Sequence, residues 1–151
     1  MHLIEKPKKS LGQNFLKDKN VINKIINIIN IQNKTIMEIG SGYGDLTSKI
    51  LDKRPKKVIA IEKDKNLSFF LREKFNKFNN IKIINKDILI FLKEENIDSK
   101  ITVFGNLPYN ISTKILSSLT LLKEWPPWYE NLILMFQKEV ADRIIAKTKT
   151  K

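Results

Sequence analysis

The stretch that decides the fold is Thr35-Ile36-Met37-Glu38-Ile39-Gly40-Ser41-Gly42-Tyr43-Gly44-Asp45. Its apolar half, Thr35 to Ile39, predicts a β-strand, and a helix is predicted from Asp45 to Leu51. Three of the five glycines in the chain lie between them. Glycine permits tight turns with positive φ and a close approach of the backbone to a ligand. The stretch therefore predicts a strand–loop–helix unit at which a nucleotide-like cofactor meets the sheet, although a plain tight turn would also explain one or two of the glycines.

Strand-like and helix-like segments alternate along the rest of the chain. Four further strands are predicted at Lys57–Ile61, Ile81–Ile84, Ile101–Phe104 and Asn131–Phe136. Helices are predicted from Asp18, as N-cap, through Ile29, and at Asn66–Phe78, Ile88–Glu95, Ile111–Leu122 and Lys138–Ala146. This alternation is typical of an α/β domain with a parallel sheet and helices on both faces. Ligands of such sheets bind beyond the carboxyl ends of the strands, so the residues that follow each strand are the candidates for a site.

The composition indicates one domain with a polyanionic partner. A chain of 151 residues has room for one core. The net charge of +12 suggests nucleic acid, but the abundance of Lys, Asn and Ile would equally follow from an AT-rich genome. The absence of cysteine excludes disulfides, cysteine-ligated zinc and thiol catalysis. No segment has the length and apolarity of a membrane span or the features of a signal peptide, so we expect a cytoplasmic protein without a membrane partner.

Two acids follow the second and third predicted strands. Glu62 lies 22 residues after Gly40, and a carboxylate at this spacing can accept hydrogen bonds from two ribose hydroxyls. Taken alone, Glu62 would more readily be a solvated charge at a strand end, but together with the glycine loop the ribose role is favoured. Asp87 can accept a hydrogen bond from an adenine amino group, or it can be the N-cap of the helix that follows. The two roles of Asp87 are compatible.

The fourth predicted strand is followed by Asn106-Leu107-Pro108-Tyr109. The Asn106 side chain can both donate and accept hydrogen bonds. Pro108 fixes its own φ and favours extended backbone at Leu107. Tyr109 offers a flat face on which a base can stack. These residues together are suited to grip a planar aromatic amine.

This run resembles the catalytic N-L-P-Y motif of the ribosomal RNA adenine N6,N6-dimethyltransferases. Lys9-Ser10-Leu11-Gly12-Gln13-Asn14-Phe15-Leu16 resembles the N-terminal cofactor motif of the same family. The other motifs of the family are matched, in order, by Glu38 to Gly44, Ile61 to Asp64, Asn85 to Ile88, and Phe136 to Ala141. The subgroup that acts on two adjacent adenines near the 3′ end of small-subunit ribosomal RNA is the most similar.

The resemblance implies a Rossmann-like class I methyltransferase fold that uses S-adenosylmethionine and no metal. It implies that the cofactor is bound by Gln13, Asn14, Leu16, Gly40, Gly42, Glu62, Asp87 and Asn106. It implies catalytic roles for Asn106, Leu107, Pro108, Tyr109 and Phe136, although core packing explains Phe136 equally well. The implied partner is small-subunit ribosomal RNA in an immature 30S-type subunit, bound by a monomer that supports ribosome biogenesis.

The predicted domain organisation is shorter than that of the family. Residues 1–17 form a basic lead-in with the cofactor motif, and residues 18–151 form the methyltransferase domain. The sheet of the family has seven strands, so we expect the last two strands and the C-terminal helical domain to be missing, with the fifth strand left as an edge. This leaves two alternatives open: a non-catalytic RNA-binding or assembly protein, and a methyltransferase for large-subunit RNA or a protein glutamine.

Overall fold

The computed structural model describes residues 15–95, 97, 100–122 and 126–147. Strands and helices alternate throughout these residues. The strands are β1 (Thr35–Ile39), β2 (Lys57–Glu62), β3 (Ile81–Asn85), β4 (Ile101–Asn106) and β5 (Tyr129–Met135). The helices are α1 (Lys19–Ile26), α2 (Asp45–Asp52), α3 (Lys65–Lys74), α4 (Ile88–Glu94), α5 (Ser112–Thr120) and α6 (Lys138–Ile145).

The five strands form one parallel sheet in the order β3-β2-β1-β4-β5. The chain builds outward from β1 to β3 and then crosses back to place β4 on the other side of β1. In open α/β sheets such a reversal opens a crevice at the carboxyl ends of the two central strands. Ile39 at the end of β1 is in register with Ile61 of β2 and with Gly105 of β4. The glycine loop therefore begins beside the ends of both neighbouring strands.

Helices cover both faces of the sheet, as the alternation predicted. On one face, α1, α2 and α3 pack against side chains that include Ile36, Val58 and Phe104. On the other face, α4 and α5 pack against a second set that includes Met37 and Val103. Because successive residues of a strand point to opposite faces, β1 and β4 are apolar on both sides. This is the burial pattern of a parallel sheet covered on both faces.

Several predicted boundaries are wrong by a few residues. Helix α1 ends at Ile26 rather than Ile29, because the backbone N–H groups of Asn27 and Ile28 bond three residues back and close the last turn. Helix α3 ends at Lys74 rather than Phe78, although the buried Phe75 still packs in the core. Apolar spacing predicts which residues are buried more reliably than it predicts where the helix ends.

Three of the strands also extend beyond their predicted carboxyl ends, and this affects the site; β5 instead ends at Met135, one residue before the predicted Phe136. Strands β2, β3 and β4 run one or two residues further than predicted, so Glu62, Asn85 and Asn106 are their terminal residues. Strand β5 begins at Tyr129 rather than Asn131 and, within the described residues, pairs only with β4. None of the described helices has the length and apolarity to cross a membrane.

Candidate functional site

The glycine loop crosses the carboxyl end of β1 in a conformation that requires glycine. Gly40 and Gly44 have φ values of 73° and 77°, which L-residues with a side chain rarely adopt. A Cβ on Gly40 would lie 3.3 Å from the backbone oxygen of Asn106. A Cβ on Gly44 would lie 2.7 Å from the Phe75 ring and 2.8 Å from Leu71. The loop is therefore held between the end of β4 on one side and α3 on the other.

Glu62 is buried at the end of β2 and holds the loop through its carboxylate. Its Oε2 atom accepts a hydrogen bond of 2.9 Å from the Gly42 amide, and its Oε1 atom accepts one of 2.8 Å from the Asp64 amide. Burial raises the pKa of Glu62, and the Asp64 and Gly42 amides partly offset this rise. A carboxylate oxygen can accept more than one hydrogen bond, so Glu62 retains capacity for ligand hydroxyls.

Asp87 is the N-cap of α4, which was one of its two predicted roles. Its Oδ1 atom accepts a 2.8 Å hydrogen bond from the Leu89 amide. Its Oδ2 atom lies 2.9 Å from the ammonium of Lys63. Partial burial opposes ionisation of Asp87, but the Lys63 ammonium and the Leu89 amide hold its pKa below the ordinary value. The group is thus an anion at the end of β3.

The Asn106 to Tyr109 run leads from β4 into α5. Asn106 is the last residue of β4 and faces the glycine loop through its own backbone oxygen. The Leu107 side chain is buried in the core beneath the site, with 2% of its surface exposed. Tyr109 is 38% exposed. Hydrogen bonds from the Ile111 amide to Pro108 and from the Ser112 hydroxyl to Tyr109 form the turn into α5.

A cavity of about 310 Å³ lies where these strand ends meet. This is within the usual range for small-molecule sites. The predicted site residues that it brings together are Gly40, Gly42, Glu62, Asp87, Asn106 and Pro108. A second, smaller cavity of about 30 Å³ shares Gly40, Gly42 and Asn106 with it and has Leu16 in its wall.

Other predicted site residues lie elsewhere. Among the described residues, the cavity walls do not include Leu107, Tyr109 or Phe136. Phe136 packs against the core on the α4 and α5 side, which agrees with the packing alternative weighed for it. Gln13 and Asn14 lie outside the described residues.

Sequence reasoning missed several apolar walls of the cavity and the three lysines that line it, Lys63, Lys86 and Lys114. The Phe15 ring lies 3.1 Å from where a Cβ of Gly42 would be and contacts the Tyr43 ring edge-on. Lys63, Ile88 and Ile111 also line the cavity. The signal that could have found most of them is adjacency, because Phe15, Lys63, Lys86 and Ile88 are each next to a predicted polar site residue. Lys114 lies within α5 and carried no such signal.

Glu38 is a buried acid next to the cavity that sequence reasoning gave no separate role. It is 2% exposed, lies in β1, and accepts a short hydrogen bond from the Thr47 hydroxyl of α2. Burial raises its pKa to about 7, against the opposing effect of the Thr47 hydroxyl. Glu38 and Thr47 tie the strand before the glycine loop to the helix after it.

The sequence and the fold both have relatives of known identity. A family model described as ribosomal RNA adenine dimethylase matches residues 4–151. The ribosomal RNA small subunit methyltransferase A of Pelagibacter ubique is 55% identical over 142 residues, which cover 94% of this chain and 53% of the relative. The protein of the same name from Mesomycoplasma hyopneumoniae is 49% identical over 144 residues, with coverages of 95% and 53%. The chain therefore spans about half the length of the curated relatives it matches.

Two solved structures resemble the fold. The 23S rRNA methyltransferase ErmE superposes with a TM-score of 0.73 at 30% identity, covering 85% of this chain and 50% of that one. A dimethyladenosine transferase from Plasmodium falciparum superposes with a TM-score of 0.75 at 29% identity, covering 89% and 47%. The sheet and its flanking helices form the class I methyltransferase fold that the motifs predicted. With a family model matched over nearly its whole length, this chain belongs to the ribosomal RNA adenine dimethylase family.

Proposed function

We propose that this chain is the catalytic part of an S-adenosylmethionine-dependent enzyme that dimethylates the exocyclic amines of two adjacent adenines near the 3′ end of small-subunit ribosomal RNA. The observation that carries the proposal is the cavity at the carboxyl edge of the sheet. Four successive strands contribute to it: β1 through Gly40, β2 through Glu62, β3 through the following Asp87, and β4 through Asn106. The cavity thus combines hydrogen-bond acceptors, a glycine loop and a polar amide in one place.

The cavity fits the adenosyl part of this cofactor. Apolar walls that include Ile61, Ile88 and Leu89 suit an adenine ring. The Glu62 carboxylate would accept hydrogen bonds from the ribose hydroxyls, and Asp87 would accept one from the adenine amine. The lead-in residues Gln13, Asn14 and Leu16, with Gly40 and Gly42, are proposed to hold the amino-acid end. When bound, the cofactor supplies a methyl group activated on a sulfonium.

The residues that follow β4 would prepare the target amine. The exocyclic amine of adenine is a poor nucleophile because its lone pair is delocalised into the ring. The Asn106 side-chain oxygen and the Leu107 carbonyl would accept its two N–H hydrogens and favour a tetrahedral nitrogen with a localised lone pair. Tyr109, which is partly exposed, would stack on the base once it has left its own stack. Such positioning contributes up to about 7–11 kcal/mol in well-oriented systems.

The proposed partner is an immature 30S-type subunit, bound by a monomer, and we expect this reaction in the cytoplasm. The net charge of +12 supports a polyanionic partner. Three lysines line the cavity, and two of them are neutralised: Lys63 by Asp87, and Lys86 by Glu94 and Glu95. The pKa of Lys86 is raised, first of all by its hydrogen bond to Glu94. Lys114 is exposed and has no ion-pair partner among the described residues, which leaves its charge available for an RNA phosphate.

The test is to incubate the chain with labelled S-adenosylmethionine and under-methylated small ribosomal subunits, and then to map the methylated adenines. We expect two adjacent adenines near the 3′ end to carry label, and the Asn106→Ala variant to transfer none while still binding S-adenosylhomocysteine. Large subunits are tested in parallel. The structural similarity to the 23S rRNA methyltransferase ErmE makes large-subunit RNA the main alternative substrate. Label on large subunits alone would refute the proposed substrate. RNA binding without any transfer would support a non-catalytic role.

A further inference from the structure

Asn85 connects the ends of β2 and β3 through its side chain. It is the last residue of β3 and lies in register with Glu62, the last residue of β2. Its Nδ2 atom donates to the Glu62 carbonyl at 2.9 Å and to the Lys63 carbonyl at 3.0 Å. One side-chain amide thus uses both of its hydrogens to hold two consecutive carbonyls where the ladder between the strands ends.

Lys63 makes a second connection between the same two strand ends. Its ammonium lies 2.9 Å from Asp87 Oδ2, and both residues line the cavity. The Lys63 side chain is 55% exposed and that of Asp87 18%, so the ion pair lies at the solvent side of the cavity. The other carboxylate oxygen of Asp87 is bound to the Leu89 amide. The rotation of the Asp87 carboxylate is therefore restricted by a partner on each oxygen.

These connections are needed because the core does not fix β3 tightly. Within the described residues β3 is an edge strand that pairs only with β2, and none of its residues is fully buried. Glu62, by contrast, is 7% exposed and bound through both carboxylate oxygens. The separation between the Glu62 and Asp87 carboxylates thus depends on what joins the two strand ends. One backbone bond of 3.2 Å runs from the Lys86 amide to the Glu62 carbonyl, and the side chains of Asn85 and Lys63 add the other connections.

We propose that Asn85 and Lys63 form a clamp that sets the spacing between the Glu62 and Asp87 carboxylates, and that both are positioning residues for recognition of an adenosyl group. This inference rests on the proposed function, in which Glu62 accepts from the ribose hydroxyls and Asp87 from the base amine. A ligand held at its two ends requires its two acceptors at a fixed separation. The clamp fixes that separation, and Asn85 does so without contacting the ligand.

The test measures binding without chemistry, using S-adenosylhomocysteine and two analogues, one lacking the ribose 2′-hydroxyl and one with hypoxanthine in place of adenine. In the parent chain each analogue should bind more weakly than S-adenosylhomocysteine. Asn85→Ala should weaken the binding of S-adenosylhomocysteine at least about tenfold, which corresponds to about 1.4 kcal/mol. It should also reduce the preference for the ligand with the 2′-hydroxyl over the ligand without it by at least about threefold. Lys63→Met keeps the aliphatic stem and should reduce the preference for adenine over hypoxanthine.

Asn80→Ala is the matched control. Asn80 Nδ2 also donates to a backbone carbonyl, that of Pro55 at 2.9 Å, but it precedes β3 at the amino end of the sheet. Loss of this hydrogen bond should lower the stability of the fold without changing the preference for the 2′-hydroxyl or the preference for adenine. If Asn85→Ala and Lys63→Met bind all three ligands as the parent does while Glu62→Ala loses binding, the clamp is refuted and the proposed function stands. If Glu62→Ala also binds as the parent does, the proposed cofactor site is itself wrong. Lys63 is largely exposed, so its variant should fold even where Asn85→Ala does not.

Discussion

At the scale of single residues, Glu38 links the chemistry of the site to the stability of the fold. Its pKa is about 7 in the folded protein because the carboxyl is buried, against 4.5 for the free group. The folded state therefore binds this proton more tightly than the unfolded state does. Between these two pH values the folded protein is protonated at Glu38 and the unfolded chain is not, so this contribution to stability falls as the pH rises from about 4.5 to 7.

Replacing Glu38 by Gln should remove this pH dependence. The variant keeps an acceptor for Thr47 but stays neutral, so its stability relative to the parent should rise by about 3 kcal/mol between pH 4.5 and pH 8. Urea denaturation at several pH values gives the difference. The stability of the Glu38→Gln variant should itself still fall somewhat as the pH rises, because burial also raises the pKa of Glu62. Glu139→Gln, at an exposed position of α6, should run parallel to the parent. If the free energies of unfolding of Glu38→Gln and the parent differ by the same amount at every pH in this range, the raised pKa of Glu38 is disproved.

Gly44 is the residue at which the loop depends most on the absence of a side chain. Ala at this position would combine a φ of 77° with contacts of 2.7–2.8 Å to Phe75 and Leu71. We expect Gly44→Ala to lower the free energy of unfolding by about 2–4 kcal/mol, as measured by urea denaturation. Lys49→Ala, on the exposed side of α2, removes a surface ion pair with Asp52 and should change it by no more than about 1 kcal/mol. Equal effects of the two substitutions would show that the loop can shift to accept a side chain.

At the scale of elements, α1 illustrates how a short helix is fixed by its start and by one face. The Asp18 carboxylate accepts from the backbone amides of Asn20 and Val21, at 2.8 and 3.2 Å. The buried residues of the helix are Ile22, Ile25 and Ile26. Because eight residues are too few for a stable helix in isolation, α1 needs both the cap and the apolar contacts with the sheet.

Asp18→Ala should therefore lower the free energy of unfolding by about 1 kcal/mol, within the range of about 0.5–2 for lost N-caps. Asp52→Ala is the comparison, because Asp52 also lies at a helix end and, in the part of the chain that the structure describes, its ion pair is an exposed one with Lys49. That exposed pair contributes about 0–1 kcal/mol. Thermal unfolding of the two variants should thus show the larger shift for Asp18→Ala. The reverse order would mean that α1 is stabilised by its packing alone.

The sequence predicted every strand and helix of the described residues. This was possible because a sheet covered by helices on both faces buries a regular set of positions, and the apolar residues occupy those positions. It predicted Glu62, Asp87 and Asn106 near one edge, because strands of a parallel sheet end on the same side. It did not predict the side-chain bonds of Asn85, because these depend on the register of β2 against β3. Nor did it predict the Lys63–Asp87 ion pair, because flexible side chains choose partners only after the strand ends are placed.

At the scale of the whole molecule, the charge that matters for RNA is the charge left unpaired near the site. Lys114 lies in α5 shortly after the Asn106 to Tyr109 run. If its ammonium neutralises one phosphate, Lys114→Gln should reduce the salt dependence of RNA binding by about 0.7–0.9 in the slope of log K against log salt. Binding of S-adenosylhomocysteine is measured separately, because Lys114 also lines the cavity. Filter-binding titrations at several salt concentrations provide the slope.

Lys57→Gln is the control for this measurement. Lys57 is also exposed, but it begins β2 and so lies at the amino end of the sheet, away from the cavity. Both variants lower the net charge of the chain by one. Equal slopes for the two would indicate that only total charge matters, and the proposed contact of Lys114 would then be wrong.

The contact between Gly40 and Asn106 limits how this scaffold can be redesigned. The first glycine of the glycine loop and the first residue of the Asn106 to Tyr109 run are separated by no more than the space of one methyl group. Under the proposed function, a substitution that widens the loop for a bulkier methyl donor would therefore also displace the groups proposed to hold the acceptor. Donor choice and acceptor choice are coupled in this scaffold, and substitutions selected for one should show non-additive effects on the other.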